Sequence, residues 1–203
     1  MVLTRCISVR LLPASLSSKI PQSSDIMVNT LISPPTIRTE RLVLRAPASE
    51  DLPAWTAFLA SKRTAHVGGT KNEAEAFVDF AALIGHWTLR GYGRWMLVNP
   101  DNDELLGSVG LFYPVGWPEP EIAWTMFEAA EGKGYAFEAA IATRDFAYGN
   151  LGFNTVVSCI APGNDRSIAL AERMGAAFER YFQHADIGQM AVYRHLGPTE
   201  CGH

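Results

Sequence analysis

From residue 39 the chain sets Leu42 and Leu44 against Arg41, Val43 and Arg45, and this period of two predicts a strand with one face buried. Ser49 then reads as an N-cap, with Glu50 and Asp51 in the first turn and Pro53 early enough to be tolerated. The short helix that follows carries Trp55, Phe58 and Leu59 as its apolar stripe. Residues 62–71 lose all periodicity and include Gly68-Gly69, which predicts a long loop of the kind that often carries function. A longer helix is expected over residues 72–90, where Phe77, Phe80, Ala81, Ile84 and Trp87 fall at three- and four-residue spacing and Arg90-Gly91 ends the pattern.

The next segments read as β. Residues 95–98 and 105–112 flank the turn Asn99-Pro100-Asp101-Asn102 and form a hairpin. After a Pro/Gly/Trp-rich loop (114–120), residues 121–127 are apolar on both faces, which predicts a central strand. A glycine loop leads to a helix over 135–148, whose Ala136, Ala139, Ala140 and Ala147 let it lie close to a sheet. Residues 155–160 predict a fifth strand, Asn164-Asp165 opens a helix through Met174 with Gly175 at its C-cap, and residues 177–182 and 189–195 return to β. The resulting fold class is α/β (α+β), a mixed sheet with helices on its faces.

Composition narrows the function more than the fold. A net charge of −4 with no basic cluster gives no case for nucleic-acid binding, and no run of 18 or more apolar residues is present to span a membrane. The three cysteines, Cys6, Cys159 and Cys201, and the five histidines lack metal-ligand spacing, so neither a disulfide framework nor a metal is expected. Cysteine usage reads as a reducing, cytoplasmic compartment. Residues 1–35 are rich in Ser, Pro and Leu and carry a single acid, Asp25. They read either as a transit-type segment or as an extension upstream of a start at Met27. Residues 36–197 are then one domain and 198–203 a tail.

The candidate chemistry centres on Glu131-Gly132-Lys133-Gly134-Tyr135-Ala136. A strand entering a glycine-rich turn and then a helix exposes unpaired N–H groups at the positive end of the helix dipole, and this is an anion site. A Walker loop needs Ser or Thr where Gly134 stands, and a dinucleotide fingerprint needs glycine where Phe137 stands. The loop sits in a connected pattern: a strand over 121–127, the alanine-rich helix, a strand, then Asn164-x-x-Ser167 opening a helix that ends in Met174-Gly175. With the opening Thr39-Glu40-Arg41-Leu42-Val43-Leu44-Arg45, this pattern resembles the GNAT superfamily of acetyl-CoA-dependent N-acetyltransferases, in its RimJ/RimL-like branch.

The resemblance implies a mostly antiparallel sheet splayed between the fourth and fifth strands, with acetyl-CoA as co-substrate. It implies that the loop holds the pyrophosphate, and that Thr125, Met126 and Phe127 offer backbone contacts to the pantetheine arm. Glu131 stands where the family has Gln or Arg; an acid there is tolerable if it turns to solvent or pairs with Lys133. Asn164 is placed to bond the pantetheine amide, and it also reads as an N-cap.

Acetyl transfer needs a neutral amine, whereas a lysine amine (pKa about 10.4) or an α-amine (about 8) is mostly protonated at neutral pH. A general base is therefore expected. Glu121 is the candidate on the fourth strand, against a plain solvent-facing acid at a strand end; Glu119 is the substitute. Ser167 is either the proton donor to the leaving thiolate or a first-turn cap, and a backbone N–H near Thr125 is the family-like oxyanion donor. The tyrosine that many relatives use as donor is replaced by Ala171. Trp117, in a loop beside Glu121, either lines the acceptor pocket or belongs to the core. The expected function is acetyl transfer to a primary amine, on a small molecule or a peptide N-terminus, by a monomer or homodimer. A catalytically weak CoA-binding sensor of the same fold is the alternative, and a nucleotide-phosphate binder ranks last.

Overall fold

The computed structural model describes residues 34–202; the expected N-terminal extension lies almost wholly outside them. Their order is β1 (Ile37–Arg38), β2 (Val43–Arg45), α1 (Leu52–Leu59), α2 (Glu73–Arg90), β3 (Arg94–Val98), β4 (Leu105–Phe112) and β5 (Glu121–Met126). Then come α3 (Tyr135–Gly149), β6 (Val157–Ile160), α4 (Asp165–Arg173), β7 (Ala177–His184), β8 (Gly188–Arg194) and α5 (Pro198–Cys201). The strands make one eight-stranded sheet, β1-β2-β3-β4-β5-β6-β8-β7. Every neighbouring pair is antiparallel except β5 and β6. Among the described residues no helix is long and apolar enough to cross a membrane.

Alternation along β3 sorts the two faces of the sheet. Trp95 and Leu97 join the core beneath α3, whose Ala139, Ala140 and Ala147 are fully buried and allow close approach. Met96 points the other way, into the cluster made by Trp55 and Leu59 of α1 and Phe80 and Leu83 of α2. His86 ties these layers together: its Nδ1 donates to Tyr92 O at 2.7 Å while Nε2 accepts from the Tyr113 N–H at 2.9 Å. Burial lowers its pKa, so the ring is the neutral tautomer this geometry needs.

The feature that positions the site is a fork. β5 pairs with β4 over six positions, yet it meets β6 at one register point, Glu121↔Val157, after which the two strands diverge. The base of the fork is pinned by side chains. The Ser158 hydroxyl donates to Ile122 O at 2.8 Å, so the His195 ring nitrogen 3.0 Å from the same oxygen must be the donor in that contact. Desolvation drops the His195 pKa to about 3, keeping the ring neutral.

Three local expectations change. The buried stripe of α2 is Ala76, Phe80, Leu83 and Trp87, and Phe77 and Ile84 are exposed, because the face carrying Ala76, Phe80 and Leu83 packs on Trp55 and Leu59 of α1. Asp51, not Ser49, organises the start of α1: its carboxylate accepts the Ala48 N–H at 2.8 Å and takes Arg45 in a two-pronged ion pair. The expected tail contains α5, capped by Glu200 on the Gly197 N–H, with Cys201 packed on the main core.

Ser158→Ala removes the Ile122 bond and leaves the buried His195 N–H unpaired. We expect a loss of about 2–3 kcal/mol of unfolding free energy in urea denaturation; wild-type stability would show that the fork is held elsewhere.

Candidate active site

Gly132 (φ 72°) and Gly134 (φ 79°) take left-handed backbone, and Gly134 is the residue from which α3 starts. This conformation costs an L-residue roughly 1–2 kcal/mol, so glycine is required to turn the chain into the helix. The first N–H groups of α3 have no intrahelical acceptors and face a cavity of about 520 Å³. The loop is braced from the far end of the sequence. Arg41 donates to Lys133 O at 2.9 Å, lies over the Tyr135 ring at 4.9 Å, and pairs with Glu138 at 2.7 Å. Glu138 also accepts from Thr39 and the Arg41 N–H; burial opposes its ionisation, but these bonds prevail and hold its pKa below the usual carboxylate range. These contacts commit Glu138 to bracing the loop.

Of the loop residues, Glu131, Gly132, Gly134, Tyr135 and Ala136 line this cavity, and the carbonyl of Lys133 is committed to Arg41. Glu131 neither turns to solvent nor pairs with Lys133. It bridges Arg63, from the turn after α1, and Arg166 of α4 at 2.7 Å. These cations neutralise the acid, and with Arg173 they leave the mouth of the cavity net basic.

The fork assigns its own backbone donors. The Phe127 N–H is taken by Leu106 O at 2.9 Å. In an antiparallel ladder alternate residues point to opposite neighbours, so Thr125, Ala123 and Glu121 also bond towards β4. Trp124 and Met126 therefore present their N–H and C=O groups into the gap. The expected contribution of residues 125–127 is corrected accordingly: Met126 stays, Trp124 joins it, Thr125 contributes its side chain, and the Phe127 ring packs on Phe58 and Trp55 at 5.6 and 6.3 Å.

On the α1/α2 side of the sheet lies a second cavity of about 750 Å³. It shares Trp124, Thr125, Asn164 and Ser167 with the first, so the two meet through the fork. Glu121 lines it and is 5% exposed, which removes the solvent-facing reading. Desolvation raises its pKa to about 7, held from rising further by the Cys159 N–H at 2.7 Å, the nearby Trp117 indole and the charge of Arg94. The indole N–H of Trp117 lines up short of a full hydrogen bond.

Trp117 does line this cavity, stacked edge-on against Phe112 and His184 at 5.8 and 4.9 Å. Glu119 does not: Arg194 holds it at 2.7 and 2.8 Å with Arg180 beside it, and the Arg194 hydrogen bonds lower its pKa. It is unsuited to proton work. Asn164 caps α4 on the Ser167 N–H at 3.3 Å, and the Ser167 Oγ accepts from the Trp124 indole at 3.1 Å, which leaves the hydroxyl proton free to donate. Ala171 is fully buried between α4 and the sheet. Sequence reasoning missed Arg63, Arg94 and Arg166, isolated cations without a motif, and Cys159, whose thiol pKa is raised by burial beside Glu121. Among the described residues no three His, Cys, Asp or Glu side chains group as a metal site.

Fold, loop and fork together define an acyltransferase of the splayed-sheet type. The family model described as an acetyltransferase (GNAT) domain matches residues 41–177, and the chain belongs to that family. The crystal structure of an acetyltransferase from Agrobacterium tumefaciens is 38% identical, with a TM-score of 0.75 over 81% of this chain and 95% of that one. RimL, a ribosomal L7/L12 α-N-protein acetyltransferase solved in complex with coenzyme A, is 17% identical, with a TM-score of 0.64 over 80% of this chain and 98% of that one; it shares the fold. The uncharacterised protein YkkB of Bacillus subtilis is 30% identical over 100 residues, which are 45% of this chain and 55% of that relative. The chain thus spans about half the length of this curated relative.

Gly134→Ala places a methyl 3.4 Å from the Arg41 guanidinium in a left-handed backbone. We expect about 1–2 kcal/mol of lost stability and an acetyl-CoA dissociation constant raised several-fold in calorimetry, because the amides of α3 are re-aimed. Unchanged affinity would remove the loop from the binding site.

Proposed function

We propose that the chain transfers the acetyl group of acetyl-CoA to a primary amine by direct attack in a ternary complex, with Glu121 as general base. The observation that carries this reading is the placement of Glu121: a buried carboxyl with a pKa of about 7, in the cavity that the fork joins to the glycine loop. The residues fit the co-substrate. The α3 amides and the basic mouth suit its phosphates, and the open edge of β5 suits an extended amide-bearing arm. When bound, acetyl-CoA supplies the thioester carbonyl as electrophile.

The protein's own groups do the rest. Glu121, half-ionised near neutrality, accepts a proton from the ammonium form of the acceptor, directly or through water. The free N–H groups of Trp124 and Met126 point into the gap, where negative charge develops on the carbonyl oxygen. Ser167, its oxygen fixed by the Trp124 indole, has its proton available for the departing sulfur. Neither departure from the family pattern favours a non-catalytic sensor, since Glu131 is neutralised by two arginines and the slot at Ala171 is filled by core.

Glu121→Gln keeps an acceptor for the Cys159 N–H and removes the base. We expect kcat to fall on the order of 10²–10³-fold with acetyl-CoA binding intact, and the wild-type rise of kcat/KM through about pH 7 to disappear. A variant that keeps both rate and pH profile sinks the assignment.

Stability should move the opposite way. A carboxyl whose pKa is raised on folding makes the native state bind more protons, so wild-type stability declines as pH climbs from about 4.5 to about 7 and stays reduced above it. The neutral glutamine escapes this loss. In thermal or urea unfolding, Glu121→Gln should gain on the order of 1–3 kcal/mol at pH 8 and little at pH 4.5. An equal effect at both pH values would show that the Glu121 carboxyl is not perturbed.

A further inference from the structure

The charged groups of the acceptor cavity do not all remain available to a ligand. Asp79 has both oxygens engaged, Oδ1 by the Trp55 indole at 3.0 Å and Oδ2 by Lys71. Asp186 and His66 are exposed at the rim. Among the described residues this leaves one acid and one cation inside, Glu121 and Arg94. Arg94 is fixed by its Nη2, which donates to Ser108 O at 2.9 Å and Thr125 Oγ1 at 2.8 Å, while its buried Nε has no protein acceptor. It keeps its charge, with a pKa lowered by desolvation only to about 10.

The register of the sheet sets the two groups on the same face of it. Arg94 pairs with Gly110, and Gly110 with Ala123, so Arg94 and Ala123 lie on one line across three strands. Glu121 is two residues from Ala123 on the same face of β5. From strand spacing, their backbones are about 10 Å apart across the sheet and about 7 Å along it. Both side chains line one cavity, whose floor between them is the methyl of Ala123, and each perturbs the other's ionisation.

Resting on the transfer reading above, we propose that the acceptor is an amino-carboxylate, its amine facing Glu121 and its carboxylate held by Arg94. A simple monoamine would leave the Arg94 guanidinium buried against apolar ligand surface, and a polyamine would set a second cation beside it; both are unfavourable. A carboxylate neutralises the guanidinium charge in a charge-assisted contact. The carboxylate can come from a free amino acid or from the acidic first residue of a peptide.

The test uses the full chain, saturating acetyl-CoA and matched acceptors: an amino acid, its carboxamide and its decarboxylated amine, together with peptides headed by Glu or Gln. The discriminating quantity is the ratio of kcat/KM for acid over carboxamide, taken within each enzyme. The carboxamide has the less basic amine and so more of its reactive neutral form, which means a preference for the acid must come from binding. We expect wild type to favour the acid by about tenfold or more, expressed in KM. Arg94→Gln should bring the ratio to near one, and Arg94→Lys, which keeps charge but loses the planar fork, should hold an intermediate ratio. If Arg94→Gln does not fold, a reduced ratio in Arg94→Lys supports the proposal and an unchanged one overturns it.

A wild-type ratio of one or less, or a ratio that survives in Arg94→Gln, overturns the proposal while leaving acetyl transfer standing. No transfer to any acceptor overturns both. Preference for free amino acids over all the peptides assigns the α-carboxylate, and preference for Glu-headed over Gln-headed peptides assigns the side chain.

Discussion

A buried sheet pairs its backbone polar groups almost without exception, and this one leaves a run of them open at its centre. β5 and β6 touch at Glu121↔Val157 and then part, held at the base by the Ser158–Ile122 bond. The groups of Trp124 and Met126 that would complete the ladder face the gap instead. Every functional feature depends on that opening. The amides of α3 stand at one side of the sheet, the acceptor cavity lies at the other, and Trp124, Thr125, Asn164 and Ser167 border both spaces. A continuous ladder would close the passage between them.

The same geometry sorts the carboxylates. Glu119, Asp79, Glu131 and Glu138 are each held by cations. Glu121 sits at the origin of the fork, where burial is deep and its direct hydrogen-bond donor is a neutral backbone amide. Desolvation therefore dominates, and its pKa is pushed to about 7. The protein accepts reduced stability at this position, a common property of groups that work as acids and bases. Arg94 shares the cavity close enough to moderate the shift without forming an ion pair that would cancel it.

Much of the architecture was legible from period and punctuation. The turn at Asn99–Asn102, the left-handed stop at Gly91 and the Asn72 and Asn164 caps put helices and strands within a few residues of where they lie. The glycine turn into α3 was legible because its conformation is set locally by Gly132 and Gly134. The face of α2 was misjudged, since Phe77 and Phe80 offer equally plausible stripes and only packing against α1 chooses between them. Which backbone groups of residues 125–127 face the gap could not be read from the sequence, because it depends on register with β4.

The order of elements, the family and the glycine turn that opens α3 could be read along the chain, because all of them are set by neighbouring residues. Only the tertiary structure separates the acids by environment. Glu119 and Glu121 are two residues apart and alike in sequence, but Glu119 lies in the loop before β5 whereas Glu121 is the first residue of the strand. One meets Arg194 and Arg180, and the other is buried beside the Cys159 amide. It also decided the fate of Glu131, whose partners Arg63 and Arg166 come from distant segments, and the place of Arg94, which becomes a candidate ligand contact through alignment across three strands. Electrostatic roles depend on distances through space, and those exist only once the chain has folded.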